Sequence, residues 1–225
     1  MRPQSSSGAA PDRDAALAQY RRRAAHYDAE LLAFEPIRTE AIASLQLRPG
    51  EVVLDVGCGT GLSFERLRSR VGRTGRIIGI EQCPEMMARA RERVQAHGWD
   101  NVDLLLAPVA KAALHGHAHA ALFHFTHDIL RDEASVAHVF SHLRPGARVA
   151  AAGLQWAPPW AWPTNGFVML AALYSTTSLE GLGHPWSRIA ARLQDFRVHS
   201  TLFGGIYVAS GTYRPAGTGA AVKPS

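Results

Sequence analysis

The sequence predicts an α/β fold: a doubly wound, mostly parallel seven-stranded sheet with helices on both faces and an antiparallel hairpin at its C-terminal edge. Three observations predict it. Between residues 51 and 154, short β-branched and apolar runs alternate with stretches of helical periodicity, the pattern of successive βαβ units. A glycine-rich turn, Gly57-Cys58-Gly59-Thr60-Gly61, directly follows the first of these runs. After Leu154 the alternation stops, and the sequence closes on two apolar runs able to pair with each other. At 225 residues the chain can bury a substantial core.

The elements follow in order. Met1–Pro11 and Pro215–Ser225 have the composition of disordered tails, which leaves 12–214 as a single domain. Residues 12–47 are expected to form N-terminal cap helices. In the first, Leu17, Tyr20, Ala24 and Tyr27 share a face; in the second, begun by Pro36, Ile37, Ala41 and Leu45 do so. Val52-Val53-Leu54 marks the first strand, Glu51–Val56, and a helix follows over about 61–70. Strand Arg76–Glu81 leads to a helix from Pro84 to about His97, and then to strand Val102–Leu106. Beyond a loop rich in Ala and His come strand Ala120–Phe125 and a helix over about 132–143. Arg144-Pro145-Gly146 reads as a turn before strand Arg148–Leu154. Residues 155–194 read as a substrate-side insertion with helices near 164–174 and 185–193. Strands at 197–203 and 205–211 complete the sheet.

Composition narrows the function. With 47% hydrophobic and 19% charged residues the chain reads as soluble and globular. Its two cysteines, Cys58 and Cys83, form no C-x-x-C pair and fit a reducing, cytoplasmic setting. Met1–Pro11 lacks the apolar core of a signal peptide. The net charge of +5 comes partly from local arginine clusters, read as solvated faces; no nucleic-acid partner is expected. His115, His117 and His119 alternate, but their spacing matches no metal signature, and no metal is expected.

The glycine turn carries the chemistry. Glycines let backbone N–H groups approach a ligand, and the helix that follows turns its positive end toward the same place. Glu81 lies 20 residues after Gly61, at the end of the second strand, where a carboxylate can accept both hydroxyls of a ribose. Nicotinamide and flavin enzymes use related loops, so the loop alone leaves the nucleoside cofactor open.

Three segments together resemble the class I, Rossmann-like S-adenosylmethionine-dependent methyltransferases. They are Val53-Leu54-Asp55-Val56-Gly57-Cys58-Gly59-Thr60-Gly61, the stretch Ile78–Arg91 with Glu81 near its start, and Leu143-Arg144-Pro145-Gly146-Ala147-Arg148-Val149. The N-terminal run Tyr20–Asp28 is similar to the covering helix of the ubiquinone-type and phospholipid-type members. The resemblance implies S-adenosylmethionine as cofactor, with Gly57, Cys58, Gly59 and Gly61 along its methionine part. It implies that Asp55 orients water or the amino group, that Glu81 holds the ribose, and that Gln82 and Met86 flank the adenosine. Tyr27 is a candidate for closing over the sulfonium or carboxylate; an ordinary packed tyrosine is the alternative. Two positions depart from the family. Ala107-Pro108-Val109 replaces the usual carboxylate after strand three, so adenine would rest on backbone groups and apolar contact there. His119 stands near the start of strand four, where the family often has an aspartate.

Strand four ends in Phe125-Thr126-His127-Asp128, which by the same resemblance faces the transferred methyl group. Phe125 is counted with the cofactor-binding residues, and His127 followed by Asp128 is the candidate acid–base pair. The aromatic insertion, with Trp156, Trp160, Trp162 and Phe167, suits a hydrophobic small-molecule or lipid acceptor; contact with a membrane surface is the neighbouring reading. The alternative function is a catalytically inactive relative that binds S-adenosylmethionine or S-adenosylhomocysteine. Neither the acceptor nor the oligomeric state is fixed by the sequence.

Overall fold

The computed structural model describes residues 34–175 and 179–215. The expected helix from Asp12, Tyr27 and both tails beyond residue 215 or before 34 lie outside the described residues. The helices are α1 (Glu35–Ser44), α2 (Phe64–Val71), α3 (Pro84–Ala96), α4 (His127–Arg131), α5 (Glu133–Ser141), α6 (Trp162–Ser175) and α7 (Ser187–Ala190). The strands are β1 (Val52–Val56), β2 (Arg76–Glu81), β3 (Val102–Leu106), β4 (Ala118–His124), β5 (Leu143–Leu154), β6 (Leu193–Thr201) and β7 (Ile206–Tyr213).

The seven strands lie in the order β3-β2-β1-β4-β5-β7-β6. The first five are parallel, while β7 runs antiparallel to both β5 and β6. The order reverses beside β1, so a crevice opens between the carboxyl ends of β1 and β4, where such sheets bind ligands. Alternation along the strands divides the core in two. Leu54, Val56, Ile80, Ala121 and Phe123 face α5 and the 109–114 segment. Val53, Ile77, Ala120 and Leu122 face α1, α2 and α3. Ala150 and Ala152 of β5 also point to that second face, and their small side chains let α1 lie close.

Local chemistry explains most boundaries. Pro84 occupies the first turn of α3, where its missing N–H is no loss. Asp132 caps α5 by accepting from the N–H groups of Ala134 at 3.3 Å and Ser135 at 3.1 Å. The Arg144-Pro145-Gly146 turn is a protrusion within the β5 segment. Between paired residues, the step from Ala118 to Ala120 on β4 faces the step from Leu143 to Arg148, and Gly146 takes φ 81° to let the extra residues loop out. His119 accepts the N–H of Val52 on Nδ1 at 3.1 Å. Its ring thus bonds the first residue of β1, and burial with the nearby Arg144 lowers its pKa and keeps that lone pair available.

Three expectations change. The helix over 185–193 shrinks to the four residues of α7, and β6 begins at Leu193. Leu202 and Phe203, expected in a strand, sit in a tight turn with φ 49° and 50°. The short helix α4 has no counterpart in the sequence reading, and it determines which side chains of 127–131 reach the crevice.

Candidate active site

The glycine turn is pinned across the end of β2. The N–H groups of Gly57 and Cys58 both donate to the Ile80 carbonyl, at 2.8 and 3.0 Å. At Gly57, with φ 71°, an added β-carbon would stand 2.6 Å from Thr126 Cγ2 and 2.7 Å from Ile129 Cδ1. At Gly61, with φ 80°, it would fall 2.4 Å from the Phe64 ring. Glycine at both places is required by backbone conformation and by the closeness of the next segment.

Glu81 ties the turn to the start of α3. Its Oε2 accepts from Gly59 N–H at 3.0 Å; its Oε1 accepts from Gln82 and Cys83 N–H at 2.8 and 2.7 Å. Burial raises its pKa, and the three backbone donors pull the other way. The carboxylate is therefore held in place in the wall of an open cleft. Gln82, Met86, Val109 and Phe125 line that cleft with Asp128 and Ile129. One wall is polar, with a carboxylate and glycine backbone; the rest is mostly apolar.

A second, smaller cleft lies against the same glycines. Arg38, Asp55, Cys58, Ser63 and His124 line it, and Gly57 and Gly59 border both clefts. Arg38 is 2% exposed and paired with Glu35, which also holds Arg66. Asp55, also 2% exposed, leaves Oδ2 without a hydrogen-bond partner among the described residues. Burial, reinforced by Glu81 and opposed by Arg38, raises the Asp55 pKa to about 7. The shielded Nε2 of His124 likewise has no partner among the described residues. Burial and the Arg38 charge hold that ring well below its ordinary pKa, so it is neutral at pH 7. A buried guanidinium, a carboxyl with a raised pKa and a neutral imidazole thus surround one small space.

Asp55, Gly57, Cys58, Gly59, Glu81, Gln82, Met86, Val109, Phe125 and Asp128 all line one of these clefts. Gly61 shapes the turn behind them, while Ala107 and Pro108 border neither; the Ala107 N–H donates to the Glu81 carbonyl at 3.0 Å. His127 faces elsewhere. Its Nε2 lies 2.8 Å from the Glu180 carbonyl, and burial, the largest influence, lowers its pKa. Sequence reasoning missed Arg38. Its signal was there: Arg38, Ala41, Ile42 and Leu45 form the buried stripe of α1, and an arginine on an apolar stripe calls for an internal partner. Thr126 and Ile129 were also missed, because only the packing against Gly57 identifies them.

Comparison with known proteins places the glycine turn within a methyltransferase-like segment. The family described as a methyltransferase domain matches residues 53–146. The protein-L-isoaspartate O-methyltransferase of Ignicoccus hospitalis is 39% identical over 70 residues, 31% of this chain and 33% of that protein. The chain thus matches about a third of the length of that relative. The malonyl-[acyl-carrier protein] O-methyltransferase of Serratia marcescens is 25% identical over 178 residues, covering 79% of this chain and 60% of that one. Among solved structures, the N-methyltransferase NodS of Bradyrhizobium japonicum, in complex with S-adenosylhomocysteine, superposes with a TM-score of 0.65. That match covers 89% of this chain and 99% of the other at 13% identity, a likeness of fold.

Proposed function

We propose that this chain, whose residues 53–146 match a methyltransferase domain family, is a class I S-adenosylmethionine-dependent methyltransferase that transfers a methyl group to a hydrophobic or aromatic small molecule. The observation behind this reading is the pair of clefts that share Gly57 and Gly59 as a common wall. The residues fit the cofactor. Glu81 would hold the ribose hydroxyls, and Gln82, Met86 and Val109 the adenosine. Arg38 would take the carboxylate of the amino-acid tail, and the unpartnered Asp55 Oδ2 its ammonium. When bound, S-adenosylmethionine supplies an electrophilic methyl group on a sulfonium.

The chain's own part is chiefly positioning. Held acceptors gain most from proximity and alignment, worth several kcal/mol in well-oriented reactions, about 7–11 at the extreme. Phe125 and Ile129 give the cleft an apolar wall that limits water, and Asp128 is the ionisable side chain closest in sequence to them that reaches it. Phe125 has φ 56°, a left-handed backbone for a bulky residue, which turns the chain sharply at the end of β4. The 155–175 segment covers the same end of the sheet, with Val168 and Ala172 packed in a cluster that Phe125 borders. An acceptor entering there meets an apolar surface, which supports the hydrophobic substrate class.

Calorimetry with S-adenosylmethionine, S-adenosylhomocysteine and NAD tests the cofactor half. Both sulfur nucleosides should bind at about 1–100 μM and NAD should not. A folded sample that binds neither sinks the reading. A second reading, cofactor binding without transfer, is favoured by the orientation of His127 away from the cleft. Turnover on phenolic, amine and lipid acceptors decides between the two.

A further inference from the structure

Helix α6 has an outward face as apolar as its inward one. Val168 and Ala172 point into the protein and are fully buried. Phe167, Leu170 and Leu173, on the opposite face, are exposed, Leu170 by 67%. Trp160 and Trp162 at its N-terminal end are 71% and 76% exposed. Helices that are hydrophobic all round are ordinarily enclosed on every side.

A second element adds to the same surface. The β6–β7 turn packs beside the start of α6: a β-carbon on Gly205 would fall 2.6 Å from Thr164, and one on Gly204 2.7 Å from Pro158. From this turn Leu202 and Phe203 project outward, Phe203 by 71%. Both residues hold left-handed backbone angles, a strain that proteins keep where a side chain must be presented. Trp160, Trp162 and Phe203 are each more than two-thirds exposed, and large apolar side chains left in water in this way mark interaction surfaces.

The chemistry of the segment selects the partner. From Gln155 to Leu179 the sequence has no Asp, Glu, Lys, Arg or His. A protein partner would find no charge there to set register or orientation. A lipid surface needs none, and charges on that face would oppose insertion. Tryptophan is the residue that settles at the boundary of headgroups and acyl chains. No described helix is long and apolar enough to cross a membrane. At 14 residues α6 spans about 21 Å, so it would lie in the plane of the interface.

We propose that Trp160, Trp162, the outer face of α6 and the Leu202–Phe203 turn dock the protein on a lipid bilayer, with α6 parallel to the surface. The net charge of +5 adds a long-range attraction to anionic lipid. This surface goes beyond the proposed reaction, and its test needs no methyl acceptor.

The full chain is sedimented with vesicles of phosphatidylcholine, and with vesicles of equimolar phosphatidylcholine and phosphatidylglycerol, while tryptophan emission is recorded. The wild type should partition onto both, more strongly onto the anionic ones, with a blue-shifted emission. Phe203→Glu combined with Trp162→Ser should lower partitioning at least about tenfold while the thermal melting curve stays in place. Wild-type protein that stays in the supernatant overturns the proposal, as does a double variant that binds like wild type. A dimer in sedimentation velocity, dispersed by Phe203→Glu and indifferent to vesicles, assigns the face to a second copy of the chain and overturns it equally. S-adenosylhomocysteine binding measured on the same samples stands or falls independently of these outcomes.

Discussion

The β1–β4 half of the molecule and the 155–205 region solve opposite problems at the same end of the sheet. The first buries polar groups: Asp55, Glu81 and Arg38 are all under 9% exposed and lie around glycines whose N–H groups are hydrogen-bonded within the protein. The second exposes apolar ones, with Trp160, Trp162 and Phe203 turned to solvent. In the first region the packing depends on where the backbone can go; in the second the surface depends on which side chains are displayed. That difference sets how each responds to substitution.

The sharpest contrast comes from Gly57→Val against Trp162→Ser. A branched side chain at φ 71°, aimed at Thr126 and Ile129, costs about 2–4 kcal/mol in strain and overpacking. Cofactor affinity measured by calorimetry should fall roughly a hundredfold or more. Trp162→Ser should leave both affinity and stability within about 0.5 kcal/mol of wild type. Equal losses in the two variants would erase the distinction between the regions.

Arg38→Met should have the next largest effect. It removes a buried charge while filling most of its volume, and Glu35 keeps Arg66 as a partner. Affinity for S-adenosylhomocysteine should drop about 10–100-fold. Stability in urea should change little or rise, as replacement of buried ions by apolar groups commonly does. A large loss of stability with affinity retained would make Arg38 a structural residue.

Asp55→Asn gives the smallest change in affinity, about tenfold, but a distinct pH signature. Asp55 is raised from 3.8 to about 7 in the folded protein, so the unfolded chain releases this proton first. Between about pH 4 and 7 the folded state binds more protons, and ligand-free stability falls as pH rises through that window. The asparagine variant should lose roughly 2–4 kcal/mol of that decline. Glu81, also raised by burial, contributes a decline of the same sign that the variant retains. Denaturant midpoints at pH 4.5, 6 and 7.5 measure the difference; identical slopes would refute the assignment.

How legible each region was follows from the same contrast. Strand β2 coincides with the run read from sequence, because a parallel strand buried on both faces needs uninterrupted β-branched and aliphatic residues; β3 coincides too, although it is the edge strand and only partly buried. The glycine turn and Glu81 were legible because backbone approach to a nucleoside demands fixed spacing. Arg38 lies on another helix, with no spacing to the loop, and only its place on the buried stripe of α1 points inward. The direction of His127 was hidden for a different reason. In the single turn of α4 each residue rotates by about 100°, so Asp128 reaches the cleft and its neighbour turns to Glu180. One turn leaves no periodicity to detect. In 155–205 the aromatic content was plain, but which residues face outward depended on how α6 and the β6–β7 turn pack.

The contact of Gly57 with Thr126 and Ile129 also bears on redesign. Those two side chains fill the space a β-carbon would need, so the 126–129 segment and the glycine turn form one interlocked part. Enlarging residue 126 or 129 to accept a smaller substrate would push on the loop and tax cofactor affinity at the same time. Under the proposed reaction, a library aimed at new acceptors is better placed at Trp156 and Ala171, which pack against the same cluster as Phe125 and line neither cleft. Substrate choice can then be retuned while the methyl-donor site stays intact.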